Sequence, residues 1–220
     1  MTRHRVIETD EGIQDEIDVA SYDRMMRGLR DRGWIYTEEI IKSGITKGTA
    51  LEIGPGPGYL GLEWLRKTID SKLVGLDISP SMAEMAEKNA VEYAFSEGRA
   101  VYVVNNAKDL PFEDEVFDAV FTTNSLHEWD DPVHTFNEIH RVLKTGGRFF
   151  VGDLRRDMNF LIKTFMKLVV REKEMRKGLV TSINAAYTRE ELLDLLKKTV
   201  IDEFEITTNP MSLMIKGLKL

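Results

Sequence analysis

The run from Leu51 to Gly61, LEIGPGPGYLG, constrains this chain more than any other feature. Leu51 and Ile53 suit a buried parallel strand, and the glycines at 54, 56, 58 and 61 supply positive φ angles and let a ligand lie against bare main chain. Helical spacing follows from Tyr59 to Ile69. Strand, glycine turn and helix in that order predict the opening of a nucleotide site, because open α/β sheets bind ligands beyond the carboxyl ends of their strands.

Gly56-Pro57-Gly58-Tyr59-Leu60-Gly61 matches the G-x-G-x-x-G of dinucleotide enzymes letter by letter, so a nicotinamide-dependent oxidoreductase is one reading. The register opposes it. The first glycine after the strand is Gly54, and counting from there puts Tyr59 where the third glycine should fall. Pyrophosphate also needs backbone N–H donors at a helix start, and Pro55 and Pro57 remove two of them. An uncharged or cationic ligand fits this loop better.

Glu52, Gly54, Gly56 and Gly58 resemble, position by position, the first motif of class I S-adenosylmethionine-dependent methyltransferases: an acid, one residue, then alternating glycines. The resemblance implies that the loop passes beneath the amino-acid and ribose parts of S-adenosyl-L-methionine, with Glu52 helping to hold the ammonium end. That cofactor has no phosphate, so the two prolines do no harm. A second strand, KLVGLDIS at 72–79, carries Asp77 about 20 residues beyond the loop, where an acid meets ribose hydroxyls. Asp77-Ile78-Ser79-Pro80-Ser81-Met82 resembles the family's second motif, with Pro80 or Ser81 opening a helix to about Phe95.

A third strand at 100–105 precedes Asn106-Ala107-Lys108-Asp109-Leu110-Pro111-Phe112, similar to a family segment beside the adenine in which Asn106 replaces an acid. An amide oxygen still accepts from an adenine amino group. Ile78 and Leu110 are apolar walls for that ring or plain core. The fourth strand, 117–124, leads through Asn124 into Ser125-Leu126-His127-Glu128-Trp129-Asp130-Asp131-Pro132, which the resemblance places over the transferring methyl group. Asp131-Pro132 reads as a helix cap, with that helix running to about Leu143 and closing at Gly146-Gly147. A fifth strand ends near Asp153. Tyr187 to Lys198 forms a helix with Thr188 and Glu191 spaced as a capping box, and strands at about 203–209 and 212–219 make a terminal hairpin.

Seven strands in this order are what the methyltransferase fold requires. It is a Rossmann-like, doubly wound α/β sheet, mostly parallel with a C-terminal antiparallel hairpin and helices on both faces. With 220 residues, 42% of them hydrophobic, and no repeat, a single domain over 1–220 is the economical reading. Residues 12–47 look like a helical N-terminal extension, similar to the opening helix that covers the cofactor in small-molecule and quinone-pathway methyltransferases of the type 11 branch. Tyr22 and Met26 are then residues of a covering helix, or plain packing.

The chain has no cysteine, which excludes disulfides, iron–sulfur clusters, thiolate zinc sites and cysteine nucleophiles, and disfavours thiol-dependent arsenite methylation. A net charge of −7 argues against nonspecific nucleic-acid binding. No apolar run approaches the ~20 residues of a membrane span, and MTRHRVIETDEG lacks a signal-peptide core, so a cytoplasmic protein is expected. The helical insertion at 155–185 holds a stretch, 155–177, with eight basic against three acidic residues around an unusually broad apolar face. A substrate lid, a homodimer face and a membrane-surface helix all remain open for it, as does a monomer.

Methyl transfer from a sulfonium is an in-line displacement, so few residues are obligatory. If oxygen or nitrogen of the small-molecule acceptor is methylated, His127 is the best general base, with Glu128 to orient it. Asp153 is a second candidate, as base or substrate anchor. No metal is expected, because Asp131 is explained by capping, and His134 and His140 cannot share a helix face. The rival to an enzyme is a cofactor-binding partner protein without turnover, which the Asn106 departure permits.

Overall fold

The strand that carries the glycine run, β1 (Thr49–Ile53), lies in the interior of a sheet, buried along Ala50, Leu51, Glu52 and Ile53. A computed structural model of the chain describes residues 5–6, 15–170 and 173–220. The start of the expected N-terminal extension, 12–14, and residues 1–4 and 7–11 lie outside them. The other strands are β2 (Lys72–Asp77), β3 (Ala100–Val104), β4 (Phe117–Thr123), β5 (Leu143–Leu154), β6 (Phe204–Thr208) and β7 (Ser212–Leu218). Among the described residues they form one seven-stranded sheet in the order β3-β2-β1-β4-β5-β7-β6. The first five run parallel, while β7 is antiparallel to both β5 and β6. The strand order reverses beside β1, between β2 and β4, and at such a switch point the strand ends leave a crevice.

Side chains alternate across the strands, so each sheet face has its own core. Leu51 and Ile53 join Val120, Phe149 and Ile215 on one face; Ala50 joins Phe121, Phe150 and Trp64 on the other. Trp64 is fixed there by its indole N–H, which donates to the Ile45 carbonyl at 2.9 Å, and by a tilted contact with Phe121. Glu52 has the parity of Ala50. Its carboxylate therefore lies on the face covered by α3 (Tyr59–Lys67), the helix that follows the glycine loop.

The cap chemistry read from the sequence is present. Ser79 accepts from Met82 N–H at the start of α4 (Pro80–Glu92), and Asp131 accepts from His134 N–H at the start of α5 (Pro132–Val142). The capping box of Thr188 and Glu191 opens α8 (Arg189–Leu196). The N-terminal extension holds α1 (Glu16–Asp31) and α2 (Thr37–Lys42), and the insertion holds α6 (Phe160–Val169) and α7 (Lys173–Ala185).

α3 and α4 end earlier than their spacing predicts, at Lys67 and Glu92 rather than near Ile69 and Phe95, and α8 occupies Arg189–Leu196 within the expected Tyr187 to Lys198. The helix after Asp131 stops at Val142, where its spacing ends it, but does not close on the glycines. Leu143 already pairs with Phe117, and after a register shift Arg148 pairs with Ala119. Gly146 and Gly147 belong to this bulged strand start because Lys219 exchanges main-chain hydrogen bonds with both of them.

Candidate active site

The loop between β1 and α3 turns on Gly54 and Gly56, at φ of 63° and 52°. A Cβ on Gly54 would lie 2.9 Å from Ser125 Oγ, and one on Gly56 would lie 3.3 Å from the Tyr22 ring. Bare main chain is thus required both by the backbone conformation and by the close approach of the neighbouring elements. Beneath the loop, Asp77 ties it to β2: one carboxylate oxygen accepts from Gly56 N–H at 3.0 Å and the other from Ser79 N–H at 2.9 Å. Burial pushes the Asp77 carboxyl above the ordinary range, and the N–H groups of Ser79, Gly56 and Ile78 pull it back.

These groups border a cleft of about 110 Å³ at the switch point. It is lined by Gly54 and Gly56, by Asp77, Ile78 and Met82 at the end of β2 and start of α4, and by Asn106 and Ala107 after β3. Asn124 after β4 and Tyr22 from α1 complete the predicted residues that meet there. Asp77, Glu128 and Asp130 bring carboxylates to the lining, which among the described residues contains no lysine or arginine. Asn106 has committed its side-chain oxygen to Lys108 N–H at 2.9 Å, which leaves its amide NH₂ as the group not used in that turn.

Glu52, Gly58 and His127 stand outside this lining. Gly58 caps α3 in a left-handed conformation, pressed against Ala86 and the Tyr102 hydroxyl. Glu52 sits under the loop, where a Cβ on Gly61 would collide with its Oε2. Burial raises the Glu52 carboxyl well above its usual range, opposed by a hydrogen bond from Gly61 N–H, and nearby Asp77 adds to the rise. Its Oε2 and the Tyr102 hydroxyl are buried without a hydrogen-bond partner among the described residues.

The loop after β4 is a short 3-10 turn, Leu126–Glu128, entered through Asn124 at a left-handed φ of 56°. That turn sends Glu128 to the cleft and His127 inward, where only 2% of its surface is exposed. His127 Nδ1 lies 2.8 Å from Asp153 Oδ1, and its main-chain N–H donates to Oδ2 at 2.7 Å. With Nδ1–H donated to a carboxylate, Nε2 is the proton-accepting nitrogen; it lies 3.9 Å from Glu128 Oε1. Arg5 straps the turn from outside, donating to the carbonyls of His127 and Ala185 and stacking on Tyr187.

Sequence reasoning missed Ser125 and Trp129 as lining residues. Trp129 Nε1–H donates to Ser125 Oγ at 2.9 Å, fixing both beside Gly54. The octapeptide after the fourth strand was the available signal, but its facing depends on the 3-10 turn.

Tyr22 reaches the cleft because α1 is clamped to the body. The next residue, Asp23, is buried and accepts from the Tyr59 hydroxyl and from Asn89 Nδ2, each at 2.8 Å. Arg27 pairs with Glu92, and Arg30 lies over the Tyr59 ring. Burial raises the Tyr22 hydroxyl far above its usual range, reinforced by the charges of Glu128, Asp77 and Asp153, so it stays protonated. Elsewhere at the cleft edge, Asp130 pairs with Lys108 and Asp131 serves its cap.

Residues 51–151 match the family model described as a methyltransferase domain. An uncharacterized protein of Methanocaldococcus jannaschii is 32% identical over 166 residues, spanning 74% of this chain and 70% of its own length. A demethylmenaquinone methyltransferase of Roseiflexus castenholzii is 36% identical over 140 residues, 63% of this chain and 56% of that enzyme. Among solved structures, a proposed S-adenosyl-L-methionine-dependent methyltransferase of Methanococcus maripaludis superposes with a TM-score of 0.75 at 25% identity, covering 97% of each chain.

Proposed function

This chain belongs to the class I S-adenosylmethionine-dependent methyltransferases, type 11 branch, and from that premise we propose that its cleft carries methyl transfer to a small organic acceptor bearing an acidic O–H or C–H. The observation that carries the reading is the cleft lining: Asp77 and Glu128 over a bare glycine loop, with Asp130 paired to Lys108 at the edge and, among the described residues, no lysine or arginine in the lining itself. Such a lining repels a pyrophosphate and suits a ligand with cationic sulfur and nitrogen.

The residues fit S-adenosylmethionine on several counts. Gly54 and Gly56 leave a cradle that any Cβ would fill. Asp77 has two oxygens with about four acceptor sites, and the N–H groups of Gly56, Ser79 and Ile78 draw on three of them. Capacity remains for a ribose hydroxyl. Ile78, Met82 and Ala107 supply apolar contact for a base, and the Asn106 amide supplies a polar edge. Glu52 acts on the loop from beneath, through Gly61, and Gly58 sets the start of α3.

When bound, the cofactor supplies a methyl group on positively charged sulfur, open to in-line displacement. The chain's own groups position the acceptor, exclude water and take its proton. Tyr22 and Trp129 wall the cleft, and Glu128 faces the acceptor. A proton leaving the acceptor passes to the Glu128–His127 edge, where Asp153 holds the imidazole in the tautomer with a basic Nε2 and stabilises the imidazolium. His127 thus keeps the role of base, with Glu128 between it and the cleft.

The similarity to a demethylmenaquinone methyltransferase makes hydroquinones and phenols the first acceptors to try. Transfer of labelled methyl from S-adenosylmethionine to such a panel is expected, with Glu128→Gln and His127→Asn slowing it. Binding of S-adenosylhomocysteine without transfer to any acceptor would instead favour a partner protein without turnover.

A further inference from the structure

Helix α6 is amphipathic with its apolar side turned outward. Leu161, Phe165 and Leu168, spaced i, i+4 and i+7, form one stripe and are 72%, 55% and 73% exposed. Phe160 and Val169 flank the stripe and are exposed too. Lys163 Nζ ties the helix to the Arg156 carbonyl at 2.6 Å, Asn159 caps it by accepting from Leu161 N–H, and Ile162 and Met166 are half-buried on its other side. A contiguous exposed patch of this kind marks an interaction surface.

Charge selects the occupant. Residues 155–177 carry eight basic against three acidic residues in a chain of net charge −7. Arg155 and Arg156 are engaged with Asp157 and Glu191; Lys167 on α6 and Arg176 and Lys177 on α7 are exposed, and Arg176 donates to the Val170 carbonyl just past the end of α6. The remainder of the chain is strongly acidic, so a negatively charged plane attracts this segment and repels the rest, which fixes an orientation. A second copy of the chain would bring the same basic residues together across a two-fold axis. Among the described residues no helix is long and apolar enough to cross a membrane. With ten residues, α6 suits lying in the interface, apolar stripe down and Lys167 at the headgroups.

We propose that α6 docks the protein on an anionic lipid bilayer through Leu161, Phe165 and Leu168. The helix follows the carboxyl end of β5, where Asp153 backs His127, so docking puts the cleft edge of the sheet beside the lipid surface. The docking itself stands without the methyl-transfer reading, since no α6 residue lines the cleft.

The test is co-sedimentation of the full chain with phosphatidylcholine vesicles, with and without phosphatidylglycerol. Binding is expected on the phosphatidylglycerol vesicles, weakened by added salt, and reduced at least about tenfold in the double variant L161S/L168S. Titration of the same variant with S-adenosylhomocysteine should match the parent chain, which separates loss of docking from loss of the cofactor site. Failure of the parent chain to bind anionic vesicles overturns the proposal, as does equal binding by the double variant. A concentration-dependent dimer that the variant loses, with no vesicle binding, assigns the stripe to a second copy and overturns it equally.

Discussion

His127 and Asp153 meet through two contacts at once: the ring Nδ1 lies 2.8 Å from one carboxylate oxygen, and the His127 main-chain N–H donates to the other at 2.7 Å. One acid therefore sets both the imidazole tautomer and the path of the turn that carries Glu128 to the cleft. Asp153→Asn keeps the shape but trades an anionic acceptor for an amide. It should cost about 1–3 kcal/mol of stability, the scale of hydrogen bonds to buried charged groups, measured by denaturant unfolding. In steady-state kinetics kcat should fall far more than KM rises. An unchanged kcat would remove this pair from proton handling.

A second buried acid, Asp23, anchors α1. It accepts from the Tyr59 hydroxyl and from Asn89, which also donates to the Pro57 carbonyl of the glycine loop. Asp23→Ala leaves two buried donors unmet, each worth about 1–3 kcal/mol. Hydrogen exchange in residues 18–31 should accelerate, and binding of S-adenosylhomocysteine should weaken because Tyr22 is no longer held at the cleft. Exchange identical to that of the parent chain would place the anchor elsewhere.

Glu52 gives a pH dependence of defined sign. Burial raises its carboxyl well above the usual value, so between the unfolded and folded pKa values the native state binds more protons than the unfolded one. Its contribution to stability is therefore greatest at the acidic end of that window and is lost as pH rises through it. Above the folded value each unit of the shift costs about 1.4 kcal/mol. Glu52→Gln can still accept from Gly61 N–H but does not ionise. Melting curves should overlay at mildly acidic pH, with the variant the more stable under alkaline conditions; parallel curves at all pH values would contradict a buried, proton-holding Glu52.

What the sequence disclosed depended on how local the physics was. The glycine loop and Asp77 were legible because φ angles, strand ends and cap chemistry act within a few residues. Thr188 and Glu191 were legible for the same reason. The facing of Glu52 depends on more distant packing, through strand parity and the face that α3 covers: Leu51 and Ile53 pack on one side, Ala50 and Glu52 on the other. In the loop after β4, a 3-10 turn decides that Glu128 rather than His127 meets the cleft. After α5, Gly146 and Gly147 do not close the helix because they are drawn into the sheet by Lys219, more than seventy residues on. For α6 the sequence displayed a broad apolar face, and only the fold revealed that it points outward.

The measurement that bears most directly on the account is calorimetric titration of the parent chain and Asp77→Ala with S-adenosylhomocysteine. The parent chain should bind it and should not bind NAD. The variant should bind more weakly by about 1–3 kcal/mol, the loss of a charged hydrogen bond to the ribose together with the tie to Gly56. Equal affinity in the two proteins, or no binding by the parent chain, would contradict the assignment of this cleft.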